Sequence, residues 1–170
     1  MPRGTKTMKS VWSMKCKRWV ATGEVYRWKA HLCVDGSSQV KGVNYWDTYS
    51  LVVSWETIGS LLTLSILNGW NTRQIDFVLA FPQAKPECDM YMEIPRGCNV
   101  GSSKRDFVLK LDKNLYRSKQ ALKLWFEHLQ RGLRKWGFKQ SKADVCVFYK
   151  GNTIFVVYVD DGILIGADKD

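Results

Sequence analysis

No stretch of this chain is long and apolar enough to cross a membrane. Its longest apolar runs, around residues 61–67 and 154–159, fall well short of the roughly 20 residues that span a bilayer. The opening residues, Met1-Pro2-Arg3-Gly4-Thr5-Lys6, lack the apolar segment of a secretory signal. Both absences imply an intracellular soluble protein, in the cytoplasm, the nucleus or both. Histidine is scarce, with two residues, and the five cysteines form no Cys-x-x-Cys pair. That argues against a zinc site and for reduced, mostly buried thiols. Acids are in deficit: 16 Asp and Glu face 26 Lys and Arg, for a net charge of +10. So basic a surface attracts phosphates and releases their condensed counterions, and the expected partner is a polyanion.

With 170 residues, 45% of them hydrophobic and 25% charged, the chain has the make-up of one globular domain with its own core. No internal repeat is visible. The positive charge is concentrated: residues 1–31 carry eight Lys or Arg against one acid, and residues 104–140 carry eleven against three. Either run alone reads equally well as a solvated face. Eight Trp and seven Tyr interleaved with the charges favour nucleic acid, because bases stack on aromatic side chains.

Strands at 11–19 and 25–34, separated by Thr22-Gly23-Glu24, predict a β-hairpin. Alternation puts Arg27, Lys29 and His31 on one face of the second strand and Tyr26, Trp28, Ala30 and Leu32 on the other. The alternative for the lysines is protection of an edge strand. Residues 55–69 read as a buried helix stopped by Asn68-Gly69. Residues 70–76 form a strand, as do 90–95 and 107–111, the last two joined by a polar loop. The clearest helix covers 118–136, with Ser118 as N-cap, Gly137 beyond it and an apolar stripe of Leu122, Trp125, Leu129, Leu133 and Trp136. Lys119 and Lys123 sit near its N-terminus, where phosphate is favoured. Strands at 145–149 and 153–159 lead into a last hairpin. Helices intermixed with antiparallel strands give an α+β class.

That hairpin, 155–166, places Asp160, Asp161 and Gly162 between two apolar runs. Taken alone it reads as a solvated Asp-Gly turn, the commonest hairpin connector. Two adjacent carboxylates also repel one another unless a cation neutralises them, which makes a divalent-metal platform the second reading. A further acid, Asp76, ends a strand just ahead of the apolar segment 77–81. There it needs a cation or several donors; capping a short following helix is the alternative. One acid on a strand end about eighty residues before a paired acid on a hairpin is the layout that two-metal phosphoryl transfer requires.

From about residue 11 to 166 the sequence resembles the reverse transcriptase of copia-type LTR retrotransposons (Pseudoviridae). The matching segments fall in the family's order. Tyr26-Arg27-Trp28-Lys29-Ala30-His31-Leu32 resembles its basic fingers motif, and Gln74-Ile75-Asp76 to Ala80-Phe81 its first catalytic motif. Met90-Tyr91-Met92-Glu93-Ile94-Pro95-Arg96-Gly97 is similar to the segment that follows. Leu115-Tyr116 with Lys119-Gln120-Ala121 resembles the template- and nucleotide-positioning motif, Gly137-Phe138 with Asp144 the next block, and Tyr158-Val159-Asp160-Asp161 the catalytic hairpin.

The resemblance implies an RNA-directed DNA polymerase whose fingers span about residues 10–70 and whose palm spans about 71–170, with 104–140 partly returning to the fingers and 1–9 disordered. It implies that Asp76, Asp160 and Asp161 hold two Mg²⁺ ions, for which Mn²⁺ can substitute, and set the primer 3′-hydroxyl against the nucleotide α-phosphate. Lys29, with Lys17 or Arg18 across the hairpin, would hold the triphosphate. Phe81 would lie beneath the sugar and select deoxynucleotides, Tyr116 and Lys119 would border nucleotide and template, and Tyr158 and Val159 would approach the primer end. Lys123 joins the basic surface that holds primer and template without reading sequence. The implied partners are an RNA template, a DNA primer and deoxynucleoside triphosphates, with no membrane.

Four positions depart from the family's pattern. Arg117 stands where it has glycine, which permits close backbone approach or an unusual φ/ψ, and His31 stands where it has arginine. Leu51 and Leu122 replace residues that are commonly proline or, at the second, a small turn former. Nine residues follow Asp161, so the expectation is fingers and most of a palm without the thumb and RNase H regions of a parent polyprotein. The alternative expectation is a catalytically inactive remnant that binds nucleic acid non-specifically.

Overall fold

The computed structural model describes residues 6–48, 51–101 and 107–167; residues 1–5 of the stretch expected to be disordered, and 102–105 of the polar loop, lie outside them. In chain order the elements are β1 (Thr7–Met8), β2 (Ser10–Arg18), β3 (Val25–Val34), α1 (Trp55–Leu67), β4 (Asn71–Asp76), α2 (Ala80–Gln83), β5 (Tyr91–Glu93), β6 (Val108–Lys110), α3 (Ala121–Lys135), β7 (Lys139–Gln140), β8 (Val147–Lys150), β9 (Thr153–Tyr158) and β10 (Asp161–Gly166). Mixed sheets with a few helices make this an α+β chain, as the sequence predicts. Among the described residues no helix is long and apolar enough to cross a membrane. The chain packs as two compact units, Met1–Thr48 with Ala84–Ala121, and Tyr49–Gln83 with Leu122–Asp170.

In the first unit β1 runs parallel to β5, and β5 pairs antiparallel with β6. Met8, Val34, Met90, Met92 and Leu111 form the buried cluster. Met8 is 1% exposed: apolar burial and the strand pairing with β5 hold Thr7 and Met8 in place. The β2–β3 hairpin forms as predicted. From Met14 to Lys29 nearly all of its residues are exposed on both faces, so it is a ribbon without a core of its own.

The second unit is built on an antiparallel sheet of order β4-β10-β9-β8-β7. Phe155, Val156 and Val157 of β9 are all buried, because the strand is covered on both faces, and this is why its sequence is a continuous apolar run rather than an alternating one. On one face α3 contributes Trp125 and Phe126, packed among Phe77, Phe148 and Phe155. On the other, Ile58 and Leu62 of α1 line a cavity of about 580 Å³ with Gln74, Val156 and Ile163. Ser54 caps α1, its side chain accepting from the Thr57 N–H at 3.1 Å, and Asp144 accepts from the Thr57 hydroxyl at 2.9 Å.

Both helix readings need correcting. Only Ser65 of α1 is buried, while Trp55, Ile66 and Leu67 are exposed; a helix apolar around most of its circumference gives no phase from which to read its inner face. The second helix starts at Ala121 rather than just after Ser118, and its deepest residues are Ala121, Leu124, Trp125 and Phe126, with Trp136 exposed.

Candidate active site

Strand β9 ends at Tyr158 and β10 begins at Asp161, so the connecting turn is Val159-Asp160. It lies earlier than the Asp160-Asp161-Gly162 turn expected from sequence, and Gly162 is a strand residue. Val159 takes the left-handed conformation, with φ 56°, an outlier for a β-branched side chain. Gly162 answers a different need: a Cβ there would lie 2.6 Å from Cε2 of Phe155 and 3.2 Å from the Val156 carbonyl oxygen. The Phe155 ring thus lies against the hairpin backbone beside Asp161, where no side chain fits.

Asp161 is the register partner of Asp76 on one side and of Tyr158 on the other, so the three share one face of the sheet at its edge row. The Phe77 N–H donates to the Asp160 carbonyl at 2.9 Å, which ties the residue after Asp76 to the turn. Asp76 is exposed, and Asp160 and Asp161 are half-buried. Asp76 stands four positions before Ala80, the first residue of α2, so helix capping does not account for it. Carboxylates supply the hard oxygen donors that suit Mg²⁺ or Mn²⁺. Yet no group of three or more His, Cys, Asp or Glu among the described residues is gathered to hold a metal ion. The backbone brings the acids of two strands and a turn together.

Of the other expected residues in this unit, Phe81 is half-buried in α2 and Tyr158 is exposed, its ring 6.5 Å from that of Trp55. Lys123 lies 3.9 Å from the Glu127 carboxylate.

In the first unit Lys29 faces Lys15, Lys17 faces Arg27, and Arg18 faces Val25. The cation directly across from Lys29 is therefore Lys15, and Lys17 stands on the same strand and face one pair further along. The turn length between the strands was the signal that could have shown this, since it sets the register. Two like-charged cross-strand pairs on one face are unfavourable by themselves and suit a phosphate-bearing ligand. The same face continues through His31, whose ring meets the edge of Tyr116 at 5.0 Å. Tyr116 is held by its carbonyl, which accepts from the Val34 N–H at 3.0 Å.

Lys119 is committed within this unit. Its backbone N–H donates to Gln39 Oε1 at 2.6 Å, its ammonium donates to the Gln39 carbonyl at 3.2 Å and to the Tyr45 hydroxyl at 3.3 Å, and it sits 4.5 Å from the centre of the Tyr45 ring. Buried Gln39 also donates to buried Gln120 at 2.8 Å. Sequence reasoning missed Gln39 and Tyr45, which no local pattern links to a lysine 80 and 74 residues away. Arg117 has φ 67°, so the arginine occupies the backbone conformation for which glycine is favoured. Its carbonyl oxygen points at Gly36, where an added Cβ would sit under 3.0 Å away.

The whole chain, residues 1–170, matches the family model described as reverse transcriptase (RNA-dependent DNA polymerase). The chain belongs to the reverse transcriptase family. This reverse transcriptase chain is 32% identical to the retrovirus-related Pol polyprotein from transposon TNT 1-94 of Nicotiana tabacum, over 99% of its own length and 13% of that protein's. It is 34% identical to the retrovirus-related Pol polyprotein from transposon RE1 of Arabidopsis thaliana, over 89% of its length and 11% of that protein's. A Ty1 Gag-Pol polyprotein of Saccharomyces cerevisiae is 26% identical over 89% of the chain and 8% of the relative. These are copia-type polyproteins, so the resemblance read from the sequence holds, and the chain spans about an eighth or less of their length. No solved structure matches the chain significantly. Reverse transcriptases generally use divalent metal ions, and the family implies a nucleic-acid template and primer.

Proposed function

We propose that this chain is the fingers and palm portion of a copia-type reverse transcriptase and adds deoxynucleotides to a DNA primer on an RNA template. The observation that carries this reading is the register of Asp161 with Asp76 across β10 and β4, with Asp160 on the adjoining turn. Asp76, Asp160 and Asp161 would hold two Mg²⁺ ions, which supply Lewis-acid stabilisation of the attacking and leaving oxygens. Tyr158 and Val159 would bear on the primer end, Phe81 on the sugar, and Lys123 on the duplex backbone. In the first unit the Lys15, Lys17, Arg27 and Lys29 face would neutralise phosphates, and Tyr116 and Lys119 would border nucleotide and template.

Primer extension on poly(rA)/oligo(dT) tests this. The expected result is Mg²⁺-dependent product that disappears in Asp160→Asn. Arg117 at a glycine-favouring φ favours a second reading, an inactive remnant that binds nucleic acid. RNA binding that weakens steeply with salt, with no extension at high protein concentration, would select that reading.

A further inference from the structure

We propose that Trp125 is a positioning residue that fixes the acidic hairpin from the α3 side. The indole N–H donates to the Val159 carbonyl at 2.9 Å, and Val159 is the turn residue held at φ 56°. A strained backbone conformation persists only where its surroundings over-determine it. Here the next carbonyl is held too, because Asp160 accepts from the Phe77 N–H at 2.9 Å. The Phe77 ring meets Trp125 edge-on with centroids 5.1 Å apart. One side chain therefore touches both halves of the acid set: the turn that presents Asp160 and the residue that follows Asp76. Trp125 is 1% exposed, so water cannot readily replace its hydrogen bond. Packing on Phe77 asks only for an aromatic ring, whereas the bond to Val159 asks for an N–H at the ring's far edge, which among the aromatic apolar residues tryptophan supplies.

The inference rests on reading Asp76, Asp160 and Asp161 as a metal-holding set, and two readouts on the full chain separate the two claims. The test variant is Trp125→Phe, which keeps a ring against Phe77 and removes the donor. The control is Phe126→Leu, a loss of packing against Phe148 on the same helix. Hydrogen exchange followed by mass spectrometry should show Trp125→Phe raising exchange in the 154–162 segment, while Phe126→Leu lowers the melting temperature without that local signature. Mn²⁺ affinity, followed by electron paramagnetic resonance, should fall about fivefold in Trp125→Phe, the factor that corresponds to one ordinary hydrogen bond of roughly 1 kcal/mol. It should be unchanged in Phe126→Leu and lost in Asp161→Asn. Unaltered hairpin exchange in Trp125→Phe overturns the anchoring role. Raised exchange with wild-type Mn²⁺ affinity overturns its bearing on the acids. Wild-type protein that binds Mn²⁺ no better than Asp161→Asn overturns the metal reading, while the exchange result still decides the anchor.

Discussion

Replacing Gly36 with alanine should destabilise the chain by about 2 kcal/mol, through a collision with backbone rather than through lost conformational freedom. A Cβ at this position would lie under 3.0 Å from the Arg117 carbonyl oxygen, and a peptide group cannot swing aside as a side chain can. The two segments would have to separate at the Cys33–Tyr116 bridge, where the Val34 N–H meets the Tyr116 carbonyl at 3.0 Å. Overpacking of this kind costs roughly 1–3 kcal/mol, and the weakened hydrogen bond about 1 kcal/mol more. The reduced entropy of the unfolded chain returns roughly 0.4–1 kcal/mol. With a urea m-value of about 2 kcal/mol/M, the unfolding midpoint should drop by about 1 M. Arg117→Gly supplies the second half of the test, because glycine holds φ 67° without strain and lets the neighbouring peptide plane turn. The double variant should recover about 1 kcal/mol relative to additivity. A Gly36→Ala midpoint equal to that of the wild type, or strict additivity with Arg117→Gly, would refute the collision.

Two further outcomes follow from the second unit. Asp144→Ala removes an acceptor shared by the Thr57 hydroxyl at 2.9 Å and by the N–H groups of Cys146 at 2.9 Å and Ser54 at 3.3 Å; it should cost about 2 kcal/mol and lower the melting temperature by roughly 4–8 °C. Asp144→Asn should lose about half of that, and equal melting of wild type and Asp144→Ala would contradict its role as the shared acceptor. Cys146 is 1% exposed, and burial, with Asp144 nearby, pushes its thiol from the ordinary 9.0 up to about 12. Above pH 9 the unfolded chain releases this proton and the folded one keeps it, so stability should fall as pH rises through the 9–12 window. In urea titrations the margin of wild type over Cys146→Ala should narrow between pH 8.5 and 10; a constant margin would rule out a folded-state shift at Cys146. In the native state, exposed Cys16 and Cys98 should react with Ellman's reagent long before Cys146.

How far the sequence could be read depended on the range of the interactions concerned. The β2–β3 hairpin, the strand ending at Asp76 and the stop at Asn68 were visible because short-range alternation and turn residues set them. The acidic hairpin is legible too, but the usual Asp-Gly connector predicts its turn too late in the chain. Gly162 in fact makes room for Phe155, seven residues away on the facing strand. Trp125 passed as a member of an apolar stripe because periodicity reports which side of a helix is buried and carries no information about a hydrogen bond to a residue 34 positions on. The pattern places Lys119 near a helix N-terminus and carries no information about its partners Gln39 and Tyr45, which come from a distant loop.

By itself, the sequence determined the α+β class, the order of the motifs and membership of the reverse transcriptase family, because these depend on residue type, spacing and local backbone preference. Tertiary structure alone decided that Lys15 faces Lys29, that Val159 rather than a glycine carries the strained turn, and that an arginine sits where glycine is favoured. It also decided that Asp161 lies beside Asp76. Those features depend on strand register and on packing between residues far apart in the chain, and both are settled only when the core closes.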